Sequence, residues 1–238
     1  MFSLFKKRVN LLQSGLYEGM TDRHSHILFG VDDGSPNLEH SLKILSMMEE
    51  AGLKELWLTP HIMEDCPNGT EKLKEVFERL KAAYSGSIHL RLAAEYMIDN
   101  LFLERLAAGD LLVMENRMVL IETSTWSSPY NLSGIIGQAL SRGFNPVLAH
   151  PERYRYMDMD DYRKIKSFGV KFQLNFPSLV GFYGSATMEK ARELMKEDMY
   201  DFIGTDCHNH QSLTHILEAK ELGPQDVEGL SRILGKGA

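Results

Sequence analysis

Met118-Val119-Leu120-Ile121-Glu122 and Pro146-Val147-Leu148-Ala149-His150 decide how this chain folds. Each is a continuous apolar run, as expected of a parallel strand covered on both faces, and each ends in a residue of metal-ligand type. Between them Leu132, Ile135, Ile136 and Leu140 recur at helical spacing until Gly143. Strand, helix, strand implies two parallel strands joined by a right-handed crossover. Glu122 and His150 then stand at the same end of one sheet.

The same unit recurs in both directions along the chain. Upstream, Ser35 reads as an N-cap with Pro36 at the first helical position, followed by Leu38, Leu42, Leu45 and Met48 and a stop at Gly52. Glu55 to Thr59 reads as a strand leading to His61. Thr70 is expected to cap a helix carrying Leu73, Val76, Phe77 and Leu80, closed by Gly86. Ile88 to Ala94 is a strand leading to Glu95, and residues 100–108 a helix ending at Gly109. Downstream, Tyr162, Ile165 and Phe168 mark a helix before Gly169. Val170 to Leu174 is a strand ending at Asn175, and Met188, Ala191, Leu194 and Met195 mark the next helix. Phe202-Ile203-Gly204 is the last strand, and two helices parted near Gly223-Pro224 finish the chain.

With Asp22 to Leu28 as the first, that makes seven strands. Metal-type residues close six of them: His24 and His26, His61, Glu95, Glu122, His150, and Asp206 with His208. Asp33 follows the first strand. Residues from first, middle and last strands meet only if the sheet closes, because the outer strand ends of an open sheet lie too far apart. The expected fold is therefore a distorted (β/α)7 TIM-like barrel, its site at the C-terminal strand ends. At 238 residues it is read as one domain, residues 21–238, behind a frayed or loosely docked N-terminal tail, residues 1–20. His24 and His26, two apart on a strand, face one side, as do Asp206 and His208 with Cys207 turned away. His40, His89 and His215 fall in helix or strand bodies and read as surface or packing residues.

Composition narrows the class. Hydrophobic residues are 43% and charged residues 25%, an ordinary globular balance. A formal charge of −7 argues against nucleic-acid binding by broad phosphate neutralisation. Cys66 and Cys207 form neither a disulfide framework nor a CxxC pair and suit a reducing cytosol. No apolar run is long enough to cross a membrane, and Met1 to Arg8 has the wrong order for a secretory signal; a peripheral contact with an anionic membrane face is the alternative use of that segment. The five imidazoles and four carboxylates suit Mn, Fe or Zn rather than a thiolate-seeking metal or an all-oxygen Mg or Ca site. Beside His150, Arg153 is placed to bind two phosphate oxygens in a fork; the alternative is a surface ion pair with Glu152.

Taken together, the HxH start, Val31-Asp32-Asp33-Gly34, Thr59-Pro60-His61, Glu95, Leu120-Ile121-Glu122, Ala149-His150-Pro151-Glu152-Arg153-Tyr154 and Thr205-Asp206-Cys207-His208 resemble the polymerase-and-histidinol-phosphatase (PHP) superfamily. His-Ser-His followed by Val-Asp-Asp-Gly, with His-Pro-Glu-Arg-Tyr, is similar to the bacterial capsule-locus protein-tyrosine phosphatases within it. The match runs in order from residue 22 to about residue 210. The resemblance implies a three-ion, usually manganese, site. One ion is expected on His24, His26, Glu95 and Asp206, a second on Glu95, Glu122 and His150, a third on Asp33, His61 and His208. It further implies attack on phosphorus by a metal-bridging hydroxide while Arg153 steadies the developing charge. Four carboxylates under three divalent ions leave a local charge of about +2, suited to a dianionic phosphate ester. The implied substrate is a phosphotyrosine cluster on the tail of a capsule or exopolysaccharide tyrosine kinase.

One departure stands out. Many such phosphatases carry a second Arg shortly after the last Asp-x-His, whereas Asn209-His210-Gln211-Ser212-Leu213 follows here. His210 is the candidate to replace it as a phosphate donor or leaving-group acid. Phe29, Trp126, Tyr130, Phe182 and Tyr183, on loops after strands, are candidates to meet the substrate ring. A cysteine phosphatase is excluded, since Cys-x5-Arg is absent: Lys72 and Leu213 stand at the Arg position after Cys66 and Cys207. An amidohydrolase would normally place a bridging Lys where Glu95 and Glu122 occupy the middle strands. A histidinol-phosphatase-like small-molecule phosphoesterase and a non-catalytic kinase-binding module remain as alternatives.

Overall fold

The computed structural model describes residues 7–235. Among them the strands form seven staves, three of which are broken. The first is β1 (Thr21–Asp22), continued by a parallel bridge between Ser25 and Cys207. The second is β2 (Glu55–Leu58) and β3 (His61–Ile62), and the third β4 (His89–Leu92) and β5 (Glu95–Met97). Four unbroken staves follow: β6 (Met118–Glu122), β7 (Asn145–Ala149), β8 (Lys171–Asn175) and β9 (Phe202–Gly204). Every ladder between them is parallel.

The order β1-β2-β4 at one end and β3-β5-β6-β7-β8-β9 at the other is one sheet in two levels, because β2 runs into β3 and β4 into β5. The ring then closes on itself. Arg23 N–H donates to the Ile203 carbonyl at 3.2 Å, His26 N–H to Cys207 at 2.9 Å and Asp206 N–H to His24 at 2.8 Å. The distorted seven-stave barrel expected from the strand-end pattern is the architecture found.

The first stave is shorter than the expected Asp22 to Leu28 for a local reason. His24 N–H turns to the Asp22 carboxylate (3.2 Å) and Ser25 N–H to the Thr59 hydroxyl (3.1 Å), so side chains take the place of ladder carbonyls. The third stave likewise breaks at Ala93-Ala94 and resumes at Glu95.

Helices cover the outside: α1 (Leu11–Ser14), α2 (Leu38–Glu50), α3 (Thr70–Ala83), α4 (Asn100–Ala108) and α5 (Leu132–Ser141). Then come α6 (Met159–Ser167), α7 (Phe176–Leu179), α8 (Ser185–Lys196), α9 (His210–Glu218) and α10 (Pro224–Ile233). Two expected caps are corrected. Asn37, not Ser35, caps α2, its side chain accepting His40 N–H at 3.0 Å, while Ser35 N–H is held by the His26 carbonyl. Gly69, not Thr70, precedes α3, because the Thr70 hydroxyl donates instead to Asp110 at 2.7 Å. That helix ends at Tyr84, ahead of Gly86.

Residues 1–6, which include most of the basic-aromatic segment, lie outside the described residues. From Val9 onward the stretch expected as a tail is docked: Val9 pairs antiparallel with Leu222, and Leu11, Leu16, Tyr17 and Met20 are buried in the core. Inside the ring, Trp57, Ala93, Met114, Met118, Leu120, Val147 and Ala149 form a separate apolar column. Met118, Leu120 and Glu122 alternate onto one face of β6, so the carboxylate stands above that dry column.

Candidate metal centre

Eight of the nine ligand-type residues predicted from the strand ends fall, at the C-terminal mouth of the staves, into three groups whose ligand atoms lie within 4.8 Å of one another, and the ninth, His150, lies against the second group. His24, His26 and Asp206 form the first, with Glu95 Oε2 3.2 Å from both imidazole Nε2 atoms. His61, Glu95 and Glu122 form the second; His150 Nε2 lies 3.2 Å from Glu95 Oε1 and 3.5 Å from Glu122 Oε2. His26, Asp33, His61 and His208 form the third. The expected partition differs in that His61 reaches both the second and third groups, and His26 both the first and third. Hydrogen bonding resolves the second overlap: His26 Nδ1 is engaged by Asp32 Oδ2 at 2.8 Å, which leaves only Nε2, on the side of His24.

The fit to a metal rests on His24 and His26. Gln173 donates its amide to the Leu174 carbonyl, so its oxygen faces His24 and accepts from Nδ1 at 2.8 Å. Asp32 accepts from His26 Nδ1 in the same way. With both Nδ1 atoms protonated as donors, the two Nε2 lone pairs face each other across 3.0 Å. Two such lone pairs at that distance, beside Glu95 and Asp206, call for a shared cation. His61 Nδ1 adds a second sign: it is buried 3.2 Å from Glu95 and 3.3 Å from Glu122 yet makes no hydrogen bond.

Without a metal, protons take the cation's part. Burial opposes charge on His26, but Asp206, Asp32 and Glu95 raise its pKa well above the imidazole range. Against burial and the Arg153 charge, Glu122 and Glu95 push His150 up to about 9. Burial and the His26 charge resist protonation of His61, and Glu122 and Glu95 overcome them to raise it. The carboxylates move the other way. Despite burial, His24, His150 and His26 hold Glu95 well below its usual range, and His24, His26 and His208 do the same for Asp206. Asp33, hydrogen-bonded by His208, falls to about 2.

Arg153 does not pair with Glu152. Its Nη1 donates to Asp206 Oδ2 at 3.1 Å and its guanidinium lies 4.4 Å from the Tyr183 ring centroid. Glu152 is buried and turned away, accepting from Asn175 N–H (2.9 Å), Ser178 (2.7 Å) and Tyr200 (3.0 Å). Asn175, the seventh polar stave end, donates to Asp206 Oδ2 at 2.8 Å. His210, the first residue of α9, sets Nδ1 3.1 Å from His40 Nε2, so His40 is a packing partner of His210, one of the two uses expected for it. No hydrogen bond among the described residues joins the His210 ring to a ligand.

Of the aromatic candidates, Phe29 is buried with the Arg79 guanidinium 5.1 Å from its ring, whereas Trp126, Tyr130 and Phe182 are exposed. Sequence reasoning missed Asp32, Gln173 and Asp22. Asp32 also accepts His61 N–H (3.1 Å) and Gly34 N–H (3.1 Å). Asp22 is buried and ties the first stave to the last through Thr205 N–H at 2.9 Å. Their one signal was polarity inside or beside an otherwise apolar strand.

A family model described as "Capsular polysaccharide synthesis, CpsB/CapC" matches residues 20–221. The tyrosine-protein phosphatase CpsB of Streptococcus pneumoniae is 28% identical over 213 residues, covering 81% of this chain and 84% of the relative. The tyrosine-protein phosphatase YwqE of Bacillus subtilis is 24% identical over 221 residues, covering 87% and 86%. Among solved structures, a chain from the crystal structures of YwqE and CpsB, described as unique metal-dependent tyrosine phosphatases, superposes with a TM-score of 0.73 at 23% identity, over 91% of this chain and 88% of that one. An amidohydrolase from Mycoplasma synoviae reaches a TM-score of 0.50 at 14% identity, over 99% of this chain and 88% of that one, a likeness of fold alone.

Proposed function

This chain belongs to the capsular polysaccharide synthesis CpsB/CapC family, and from that premise we propose that it is a metal-dependent protein-tyrosine phosphatase of the PHP superfamily. Its substrate is phosphotyrosine on the tail of a capsule or exopolysaccharide tyrosine kinase. The observation that carries the reading is the pair of Nε2 atoms of His24 and His26, 3.0 Å apart beside Glu95 and Asp206, within a nine-ligand mouth. A cytoplasmic setting at the inner membrane face follows from such a kinase; no helix among the described residues is long and apolar enough to cross a membrane.

His24, His26, Glu95 and Asp206 would hold one ion, Glu95, Glu122 and His150 a second, and Asp33, His61 and His208 a third. Manganese is the expected metal, with iron and zinc compatible with the same donors. Bound divalent ions supply an acidified water and neutralise phosphoryl oxygens. The chain's own groups do the rest. Gln173 and Asp32 fix the tautomers of His24 and His26, leaving Nε2 free of a proton for the ion. Arg153, steadied by Tyr183 and Asp206, presents its remaining N–H groups to the phosphoryl oxygens as charge gathers on them. His210, held by His40 on the rim beyond His208, supplies a second phosphate contact where an Arg is missing. The apolar column beneath Glu122 keeps water from the lower side of the site.

The test is phosphate release by fully metal-loaded protein from a phosphotyrosine peptide and, separately, from histidinol phosphate. The expected result is faster release from the peptide, abolished by a chelator and restored by Mn²⁺. No release at full metal content refutes the reading, and faster release from histidinol phosphate reassigns the enzyme to small molecules.

A further inference from the structure

The loop after β7 carries a second arginine that the phosphoryl site does not use. Arg155 N–H donates to the Thr125 carbonyl at 2.9 Å, latching the loop after β7 to the loop after β6. Thr123 reinforces the latch: its hydroxyl lies 2.6 Å from the Tyr156 hydroxyl, and its N–H donates to Tyr154 at 3.2 Å. Both loops leave stave ends that carry site residues, Glu122 and His150, so the latch forms part of the rim. Across it the Arg155 guanidinium lies 3.8 Å from the centroid of the Trp126 ring.

Two facts make this pair unusual within the chain. Trp126 is 69% exposed, a large apolar ring held in water on the rim. Arg155 is exposed too, and among the described residues its side chain has no carboxylate or carbonyl acceptor. Arg79 in α3 shares that lack, whereas Arg153, Arg105 and Arg192, for example, each hold a carboxylate. A guanidinium stacked on a ring keeps its plane fixed and its N–H edge free, which is the geometry for fork-like contact with an oxyanion. Arg153 and Arg155 are two residues apart, so their Cα atoms are separated by at most about 7 Å. That is the spacing between neighbouring side chains on one face of an extended peptide.

We propose that Arg155, held on Trp126, is a specificity-determining residue that binds an anionic side chain of the substrate peptide close to the phosphotyrosine being hydrolysed. The proposal rests on the phosphatase reading for the position of that phosphotyrosine. The ligand chemistry is an oxyanion, either the carboxylate of a neighbouring Glu or the phosphate of a neighbouring phosphotyrosine. Three divalent ions would bring the formal charge of −7 close to neutral, so a rim cation with no carboxylate partner among the described residues gives such a peptide a local attraction.

The test uses metal-loaded full-length protein and three peptides built on a non-hydrolysable phosphonate analogue of phosphotyrosine, flanked by neutral residues, by Glu, or by a second phosphotyrosine analogue. Calorimetry is expected to show the anionic-flank peptides binding about tenfold more tightly than the neutral one, the size of one charge-assisted hydrogen bond. Arg155→Gln should bring that ratio to about one, and Trp126→Ala should lower it in part by freeing the guanidinium. Arg155→Lys should restore it incompletely. Equal binding of all three peptides by the unaltered protein, no binding of any, or a preference that survives Arg155→Gln, overturns the proposal. The Glu and second-phosphate arms identify which oxyanion is preferred. Hydrolysable versions of the peptides separate the two readings: flank preference without phosphate release sinks the phosphatase assignment alone, and release without preference sinks the Arg155 assignment alone.

Discussion

Asp32→Asn tests whether the residues behind the ligands set metal affinity. Asp32 Oδ2 accepts from His26 Nδ1 at 2.8 Å and from His61 N–H at 3.1 Å, while Oδ1 accepts from Gly34 N–H at 3.1 Å. An amide of the same shape keeps one acceptor and must turn its NH₂ toward one of these donors. If the NH₂ faces His26 and His61, the first ligand loses its fixed tautomer and the backbone of the second is pushed off. If it faces Gly34, the turn bearing Asp33 opens. Gly34 has little room to adjust, since a Cβ there would lie 1.7 Å from the His26 carbonyl oxygen. Either way a charge-assisted hydrogen bond of about 1.5–3 kcal/mol is lost. That corresponds to roughly a 10–100-fold loss of affinity, the range typical for partners one step behind a metal ligand. The assay is competition with a chelator of known affinity, with metal content per chain measured alongside. Activity at saturating Mn²⁺ should return to within a few-fold of the unaltered enzyme, as the ligands themselves remain. Unchanged affinity for every ion, in a variant whose metal-free thermal unfolding is also unchanged, would refute the reasoning.

Other outcomes follow from the same geometry. Arg153→Ala should lower kcat by about 10²–10³-fold, as expected for loss of a group that meets developing charge, while the measured metal content stays full. His210→Ala should raise KM for phosphotyrosine peptide with a smaller effect on kcat; unchanged kinetics removes it from the site. Metal binding should release protons, because His26, His61 and His150 are raised and must lose protons to become ligands. Calorimetry in two buffers of different ionisation enthalpy reads this, and a proton count of zero at pH 7 contradicts it. In the metal-free chain the about 9 of His150 exceeds the unfolded value of about 6.5. Its stabilising contribution is therefore full below about pH 6.5 and lost as pH rises through 9, visible as a falling Tm. Thiol alkylation should leave activity intact, since burial pushes buried Cys207 up to about 12 and raises Cys66.

The fold was legible where burial on both faces forces an unbroken apolar run, as in Met118 to Ile121 and Val147 to Ala149, and where a glycine ends a helix, as at Gly109 with φ 73. It was less legible where side chains replace backbone partners. Asp22 and Thr59 draw amide hydrogens out of the first ladder, and no period in the sequence reports that. Helix starts failed for a related reason. Ser35 and Thr70 are good caps in the abstract, but the His26 carbonyl and Asp110 hold them in other bonds. The convergence of the candidate ligands was legible because hard and borderline donors at strand ends have few other uses. The residues behind them were not, because Asp32 and Gln173 resemble any polar residue until their partners are placed.

Backbone conformation at the ligands explains why strand ends, rather than strand bodies, carry this chemistry. His150 has φ 35 and Asp206 φ 51, both in the left-handed region that non-glycine residues rarely occupy. Each such residue costs about 1–3 kcal/mol and persists only where its surroundings hold it. Asp206 is held by its N–H to the His24 carbonyl and by Asn175 and Arg153 on its carboxylate. His150 is followed by Pro151 and by Arg153 N–H donating back to the His150 carbonyl at 2.9 Å. At His150 the turn reverses a face: Val147 and Ala149 point into the ring, so a regular strand would send residue 150 to the opposite side, away from Glu122 and Glu95. The left-handed turn breaks the alternation one residue past Ala149, where the ladder of β7 ends. At His150, strain, side-chain placement and the end of the stave are thus one feature, and the Arg153 N–H on its carbonyl helps to keep it in place.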